Sequence, residues 1–506
     1  MREAYPQTDS QFDPEPYDDD KLREECGVIA VYGAPDASLI TALGLHALQH
    51  RGQEGCGIAT YDGERFYTER HLGLVGDHFS ADTGDLRERL RGHLAIGHTR
   101  YGTQGGRLLR NVQPLFADLA CGGVAIAHNG NLTNAVKLRG ELVERGAIFQ
   151  STSDTEVFLQ LMARARRTKV IDRFVEALGQ VEGAYALVCL TNDMILAARD
   201  PIGIRPLVLG WISDAPVLAS ETCALATVGA RFDREIENGE VVAITMGEDG
   251  KPVVESHFPF PRRPARPCLF EFVYFCRPDS NVGGKSVYDV RKQMGRRLAE
   301  ETALGADVVI PVPDSGVAAA LGYAERSGVP YEMGIIRSHY IGRTFIQPTQ
   351  NARSSGVSMK HSANRAVIEG KRVVLVDDSV VRGTTSKQIV QMMRDAGARE
   401  VHFRSASPQI RYGDYYGIDM PDVNQLFAAR HNGDVDAMAK WLNADSLGFL
   451  SVEGVYAAMG MTRDPRAPQF SDHCFTGDYP TRLVDQADQG GGRERQLSLL
   501  SEPEAA

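Results

Sequence analysis

The sequence predicts an α/β protein of about two or three domains, and three stretches carry that expectation. Val373-Val374-Leu375-Val376 is an apolar, mostly β-branched run that stops at Asp377-Asp378. Such a run reads as a strand of a parallel sheet buried on both faces. From Val308 onward, strand-like and helix-like segments alternate, the pattern of βαβ units. Before that lies Phe258-Pro259-Phe260-Pro261-Arg262-Arg263-Pro264-Ala265-Arg266-Pro267, a Pro-rich basic join that divides the chain near residue 260.

Composition narrows the function. The chain has 506 residues, 43% of them hydrophobic and 24% charged, which is ordinary for a globular protein with ample core. A net charge of −11 argues against bulk attraction to nucleic acid. Eight cysteines without a Cys-x-x-Cys pair favour free thiols and a reducing, cytoplasmic setting. No stretch reaches the roughly 18 apolar residues of a membrane helix, and the N-terminus has no secretory h-region.

Residues 1–25 are polar and acidic, with too few apolar residues to pack. The character changes at Cys26-Gly27-Val28-Ile29-Ala30-Val31-Tyr32-Gly33, a buried strand. If the leader is removed, Cys26 becomes the first residue. Its α-amino group, with an ordinary pKa of ~8, can then act as base for its own thiol. With the leader attached that nitrogen is an amide and accepts no proton.

Gly44 to Gly55 reads as a helix entering a Gly-rich turn. His46 and His50 on it are four apart, a metal-binding spacing, but no third ligand is apparent, so they read as a structural helix face. Arg100, at the end of Ile96-Gly97-His98-Thr99-Arg100, could grip a carboxylate with its planar fork. Asn129-Gly130 is either a turn or a pair of donors for an oxyanion. Asp154, in Ser151-Thr152-Ser153-Asp154-Thr155-Glu156, is either a helix cap or a partner for a substrate ammonium. Cys56, Cys121, Cys189 and Cys223 lie among apolar or Gly neighbours and read as core.

In the second half, Val308 to Pro313 is a strand, Val317 to Gly328 a helix, Glu332 to Ile336 a short strand and Val401 to Ala406 another strand. After Asp377-Asp378, the loop Ser379-Val380-Val381-Arg382-Gly383-Thr384-Thr385-Ser386 aims backbone N–H groups and a helix start at an anion. The two Asp stand at the carboxyl end of a strand, where α/β ligands bind. They can hold vicinal hydroxyls and a hard divalent cation. Arg337, Arg343, Arg353 and Lys360 occur in a stretch without acidic residues, which suits a lid over a polyanion. Gly283-Gly284-Lys285-Ser286 is no P-loop, because Asp279 stands where the first Gly is required. The tail from Val484 is polar and expected to be disordered.

In order along the chain, Cys26, Arg100, Asn129, Gly130 and Asp154 resemble the class II glutamine amidotransferase domain, an N-terminal-nucleophile fold. The likeness continues through Gly183-Ala184-Tyr185, Arg199-Asp200-Pro201 and Ala219-Ser220-Glu221. It implies a four-layer αββα sandwich over 26–260 after loss of the propeptide 1–25. Cys26 would be the nucleophile, Arg100 and Asp154 would bind the ends of glutamine, and Asn129 with Gly130 would hold the oxyanion. Arg372 to Ser386 resembles the phosphoribosyl-pyrophosphate motif of type I phosphoribosyltransferases. That likeness implies a mostly parallel α/β domain over 261–483, with C-terminal helices. It assigns Asp377, Asp378, Ser379, Arg382, Gly383, Thr384, Thr385 and Ser386 to phosphoribosyl pyrophosphate. One Mg²⁺ per subunit would sit on Ser315, Asp377 and Asp378. Tyr340 to Pro348 matches the lid of amidophosphoribosyltransferases, adds Arg343 to the site, and places both halves in that one family.

Membership would make the chain a transferase that moves glutamine amide nitrogen onto phosphoribosyl pyrophosphate, the first committed step of purine synthesis. It also implies a homo-oligomer, tetramer or dimer, inhibited by purine nucleotides, with no nucleic-acid or membrane partner. Two features depart from the family. Arg337-Ser338-His339 replaces the usual Lys-Asn-Arg. Many bacterial members also carry a [4Fe–4S] cluster on four cysteines, whereas here Cys268 and Cys474 are kept and Asp414 and Ser471 occupy the other two places. No cluster is expected on such a set, although Cys268, Cys474, His473 and Asp414 could hold Zn²⁺. The alternatives are another class II amidotransferase, making glucosamine phosphate or asparagine, and a non-enzymatic sensor of phosphoribosyl pyrophosphate. Residues 377–386 argue against the first, and the Cys26 set argues against the second.

Overall fold

The computed structural model describes residues 26–101, 108–337, 361–420 and 423–487. The leader, the lid with Arg343, Arg353 and Lys360, and the tail beyond 487 lie outside the described residues.

The first half is built on two antiparallel sheets. In the seven-stranded sheet, Gly27–Tyr32 is central, between Ala215–Ala219 and Leu94–Arg100. In the six-stranded sheet, Gly122–Leu132 pairs with Leu115–Leu119 and Gly183–Leu190. Every residue of Gly27–Tyr32 is buried because both faces are covered. Val28, Ala30 and Tyr32 point into the layer between the sheets, with Ala125, Ala127, Ala186 and Val188. Ile29 and Val31 point the other way, under the helix Ala37–Ala47. The outer face of the second sheet carries Thr155–Arg164 and Val170–Leu178 through Phe158, Phe174 and Leu178. The strand period of two thus supplies both apolar interfaces of the αββα sandwich.

The second half has a parallel sheet in the order Val308–Pro311, Arg372–Asp377, Glu400–Ser405, Ser446–Phe449. Val374 and Val376 face a core shared with the helices Val287–Glu301 and Val317–Ser327. Val373 and Leu375 face Thr384–Asp395 and Val435–Leu442. The first of these cores also takes in Ala184, Ile202 and Ile204, so apolar packing is continuous across the join.

Three expectations need correcting. The strand placed at Glu332 to Ile336 is Ile335–Arg337, which pairs antiparallel with His361–Ala363 outside the parallel sheet. Ahead of it, Tyr331 bridges to Val309 of that sheet. Cys121 is half-buried, because it lies in the turn joining Leu115–Leu119 to Gly122–Leu132. The tail does not lose structure at Val484: Val484–Ala487 is helical, and the Asp485 carboxylate accepts from the N–H groups of Val136 and Lys137 at 2.9 and 3.1 Å. An acidic side chain at the N-terminus of the helix Ala135–Glu144 is favoured electrostatically, and sequence polarity alone conceals that docking.

Candidate active sites

Cys26 immediately precedes the central strand of the first sheet, and its Sγ lies 3.7 Å from the Tyr101 carbonyl oxygen. Gly27 is in register with Thr99, which brings Arg100, next along that strand, beside Cys26. Burial pushes the Cys26 thiol up from its ordinary value, and the nearby Arg100 charge opposes the shift. A thiol held up in this way needs a base to become nucleophilic. Arg100 is buried and donates from Nη1 to the Asn111 carbonyl at 2.9 Å.

Asp154 ends the loop before Thr155–Arg164, and its Oδ2 accepts from the Leu132 N–H at 3.0 Å. Leu132 belongs to the strand that carries Asn129 and Gly130. Burial raises the Asp154 carboxyl, but His128, 3.6 Å away, and the N–H groups of Leu132 and Thr155 outweigh it and hold it below the usual carboxylate range. The structure therefore gathers Cys26, Arg100, Asp154 and the 129–130 strand where the two sheets meet. Asn129 is fully buried, and neither of its side-chain polar atoms has a protein hydrogen-bond partner among the described residues. Buried amides are rarely left so, and the exceptions are often functional. Sequence reading missed His128; its one signal was its place directly before Asn129.

At the second site, Asp377 ends the strand Arg372–Asp377 in register with Ser405. Asp377 and Asp378 are both buried. Asp377 Oδ1 accepts from the Asp378 N–H at 2.9 Å, and Ser379 Oγ donates to Asp378 Oδ2 at 2.6 Å. Gly383, at φ +85°, turns the chain into the helix Thr384–Asp395, whose first turn holds Thr384, Thr385 and Ser386. Arg430 clamps this loop by donating to the Arg382 carbonyl. Ser315 is carried to the same strand end by Gly316, where a Cβ would meet the Val376 carbonyl oxygen at 2.4 Å and Asp377 Cα at 3.2 Å. These oxygen donors at a strand end fit a hard cation such as Mg²⁺. Gly283 and Gly284 turn a hairpin between Asn281–Val282 and Lys285–Ser286, consistent with rejecting a P-loop there.

Charged side chains are buried between the sites. Arg51 is fully enclosed and pairs with Glu221 of the first half and Glu271 of the second. His50 Nε2 also meets Glu221, at 2.7 Å, while His46 is exposed, so the two do not converge on a metal. The buried Cys276 Sγ joins this cluster, 3.0 Å from Glu271 Oε2 and 3.3 Å from Arg51 Nη2.

The four positions expected for a cluster do come together. Cys268 bridges to Ser471, and ligand atoms of Asp414, His473 and Cys474 lie within 4.8 Å of one another. Their chemistry does not fit a [4Fe–4S] cluster, which requires four thiolates where only two cysteines stand. The remaining donors are occupied by each other. Asp414 Oδ1 is 2.6 Å from His473 Nε2, and Ser471 Oγ is 2.9 Å from His473 Nδ1. Burial also pushes the Cys268 thiol up to about 12.

Family comparisons agree with this division. Residues 103–227 match a glutamine amidotransferase domain, and residues 285–406 match a phosphoribosyl transferase domain. The amidophosphoribosyltransferase of Rhizobium etli is 58% identical over 488 residues, covering 96% of this chain and 97% of that protein. The chain belongs to the amidophosphoribosyltransferase family. The Bacillus subtilis amidophosphoribosyltransferase is 47% identical over 463 residues, covering 91% of this chain and 95% of that protein. A solved glutamine phosphoribosylpyrophosphate amidotransferase from B. subtilis, complexed with ADP and GMP, has a TM-score of 0.84 at 46% identity. It spans 90% of this chain and 98% of its own. The chain is accordingly a transferase enzyme with the predicted two-part fold. Among the described residues, no helix is long and apolar enough to cross a membrane.

Proposed function

We propose that the chain forms 5-phosphoribosylamine, glutamate and pyrophosphate from glutamine and phosphoribosyl pyrophosphate, using the two sites in sequence. Removal of residues 1–25 frees the Cys26 α-amino group, which takes the thiol proton. The sulfur attacks the glutamine side-chain carbonyl, giving a tetrahedral oxyanion and then a glutamyl thioester as ammonia leaves. Water hydrolyses the thioester and restores the thiol. Arg100 and Asp154 fix the α-carboxylate and α-ammonium. Asn129, with the Gly130 N–H, stabilises the oxyanion, and the observation that carries this reading is its enclosed amide, unpartnered among the described residues.

Ammonia must reach the second site as neutral NH₃, since protonation removes its lone pair. That requires an enclosed passage between the halves, which closure of the lid that carries Arg343 would help form. At the second site Asp377 and Asp378 hold the ribose hydroxyls, and Arg382 to Ser386 hold the 5-phosphate. Ser315, Asp377 and Asp378 would hold Mg²⁺, which supplies charge neutralisation to departing pyrophosphate when bound. Eight unpaired cysteines support a cytoplasmic setting. Purine nucleotides as inhibitors and a dimeric or tetrameric state are carried over from the resembling family, and the net charge of −11 supports the lack of a nucleic-acid partner.

The decisive experiment replaces Cys26 by Ala and compares glutamine with ammonium salt as nitrogen donor. Synthesis from glutamine should vanish while synthesis from ammonium persists. Continued use of glutamine by that variant, or active native protein that retains residues 1–25, would sink the mechanism.

A further inference from the structure

The donor set that fails as a cluster site touches the amide-hydrolysing site through one short turn. Asp414 has a fully enclosed carboxylate. Its Oδ2 accepts from the N–H groups of Tyr416 and Ile418, at 2.8 and 2.7 Å, closing the turn 414–418. Its Oδ1 faces His473 Nε2 at 2.6 Å, and His473 Nδ1 is steadied by Ser471 Oγ. The Tyr416 ring stands edge-on to the His473 ring at 5.0 Å.

The far side of this turn is the oxyanion strand. The Tyr415 carbonyl accepts from Asn131 Nδ2 at 3.0 Å. The Tyr416 carbonyl accepts from Arg205 Nε at 2.9 Å. Gly417 packs so closely that a Cβ there would meet Gly130 Cα and carbonyl carbon at 3.1 Å. A segment of the phosphoribosyltransferase half is therefore pressed against the residue expected to donate to the oxyanion.

We propose that Asp414 and His473 are positioning residues for glutamine hydrolysis: without any metal, their hydrogen-bonded pair holds the Tyr415–Gly417 turn against Asn131 and Gly130 and so fixes the oxyanion donors. The proposal rests on the assignment of Asn129 and Gly130 given above. In this chain a hydrogen-bonded pair stands at the positions where the resemblance places a cluster. It also gives the second half a direct mechanical contact with the first site. Placement errors of about 1 Å in such donors cost rate rather than binding, on the order of a hundredfold at the extreme.

The test uses the mature full-length enzyme. His473→Leu and Asp414→Asn should each lower kcat with glutamine by about tenfold or more. KM for glutamine and the rate with ammonium salt should stay within about threefold of native. His473→Gln keeps an N–H donor and should recover most of the loss. Asp414→Asn conserves volume and carries the test if His473→Leu does not fold. A parallel loss of both activities, a change confined to KM, or unchanged kinetics overturns the proposal. So does iron, zinc or sulfide at one equivalent per chain in the purified native enzyme. If native enzyme makes no phosphoribosylamine from glutamine, the assignment of the glutamine site fails instead.

Discussion

Replacing Asn129 by Ala separates a catalytic amide from a structural one. An ordinary buried Asn makes hydrogen bonds, so its removal strands partners and costs about 1–3 kcal/mol for each group left unsatisfied. Asn129 makes none to protein among the described residues, and its removal therefore strands nothing. The expected stability cost is only the lost packing of a small side chain, roughly 0.5–2 kcal/mol. That corresponds to a fall of a few degrees in apparent Tm at fixed protein concentration. Catalysis should suffer more. Loss of one oxyanion donor costs about 2.7–4 kcal/mol, or roughly 10²–10³ in kcat. The assay follows phosphoribosylamine formation with saturating glutamine and, separately, with ammonium salt. Only the glutamine reaction should fall. A glutamine kcat within threefold of native, or an equal fall in the ammonium reaction, would refute the argument.

Other outcomes follow from the same geometry. Asp378→Asn should depress phosphoribosylamine synthesis from both nitrogen donors while leaving glutamine hydrolysis intact, because Asp378 stands at the other site; loss of hydrolysis alone would contradict this. Glu221→Gln removes one of the two carboxylates that face the buried Arg51 charge, Glu271 remaining, and should destabilise the protein by roughly 1–3 kcal/mol, read as a fall in apparent Tm. The pH dependence has a definite sign. Burial raises the Glu221 carboxyl, but Arg51 and then His50 outweigh it and hold it well below its ordinary range. A depressed carboxyl gives its full stabilisation above the unfolded value of about 4.3 and loses it as pH falls through the lower folded value. Native and Glu221→Gln melting curves should consequently differ most near neutrality and converge in acid below about pH 4. A gap that widens on acidification would show the sign to be wrong. Finally, Asp485→Ala should loosen the helix Val484–Ala487 from Ala135–Glu144, exposing the C-terminal segment to proteolysis at an unchanged rate of catalysis with ammonium.

The fold was legible because burial on two faces writes itself into strands as unbroken apolar runs. Gly27–Tyr32 and Val373–Val376 are such runs. Local chemistry was legible too: an acidic pair at a strand end and a Gly before a helix. These signals lie within about ten residues, so backbone geometry converts spacing into proximity.

What the sequence could not decide is which distant groups share an enclosed space. The family resemblance grouped Asp414 and His473 with two cysteines, but no local pattern announces that the two pair with each other at 2.6 Å, or that Gly417 rests on Gly130. Nor does any local pattern reveal that Arg51 joins Glu221 to Glu271, or that the Asn129 amide finds no partner among the described residues. Pairing energies of this kind depend on removal from water, and burial is a property of the packed whole. The chain's order thus dictated its buried strands and named its candidate groups. Only their packing settled which of those groups face one another.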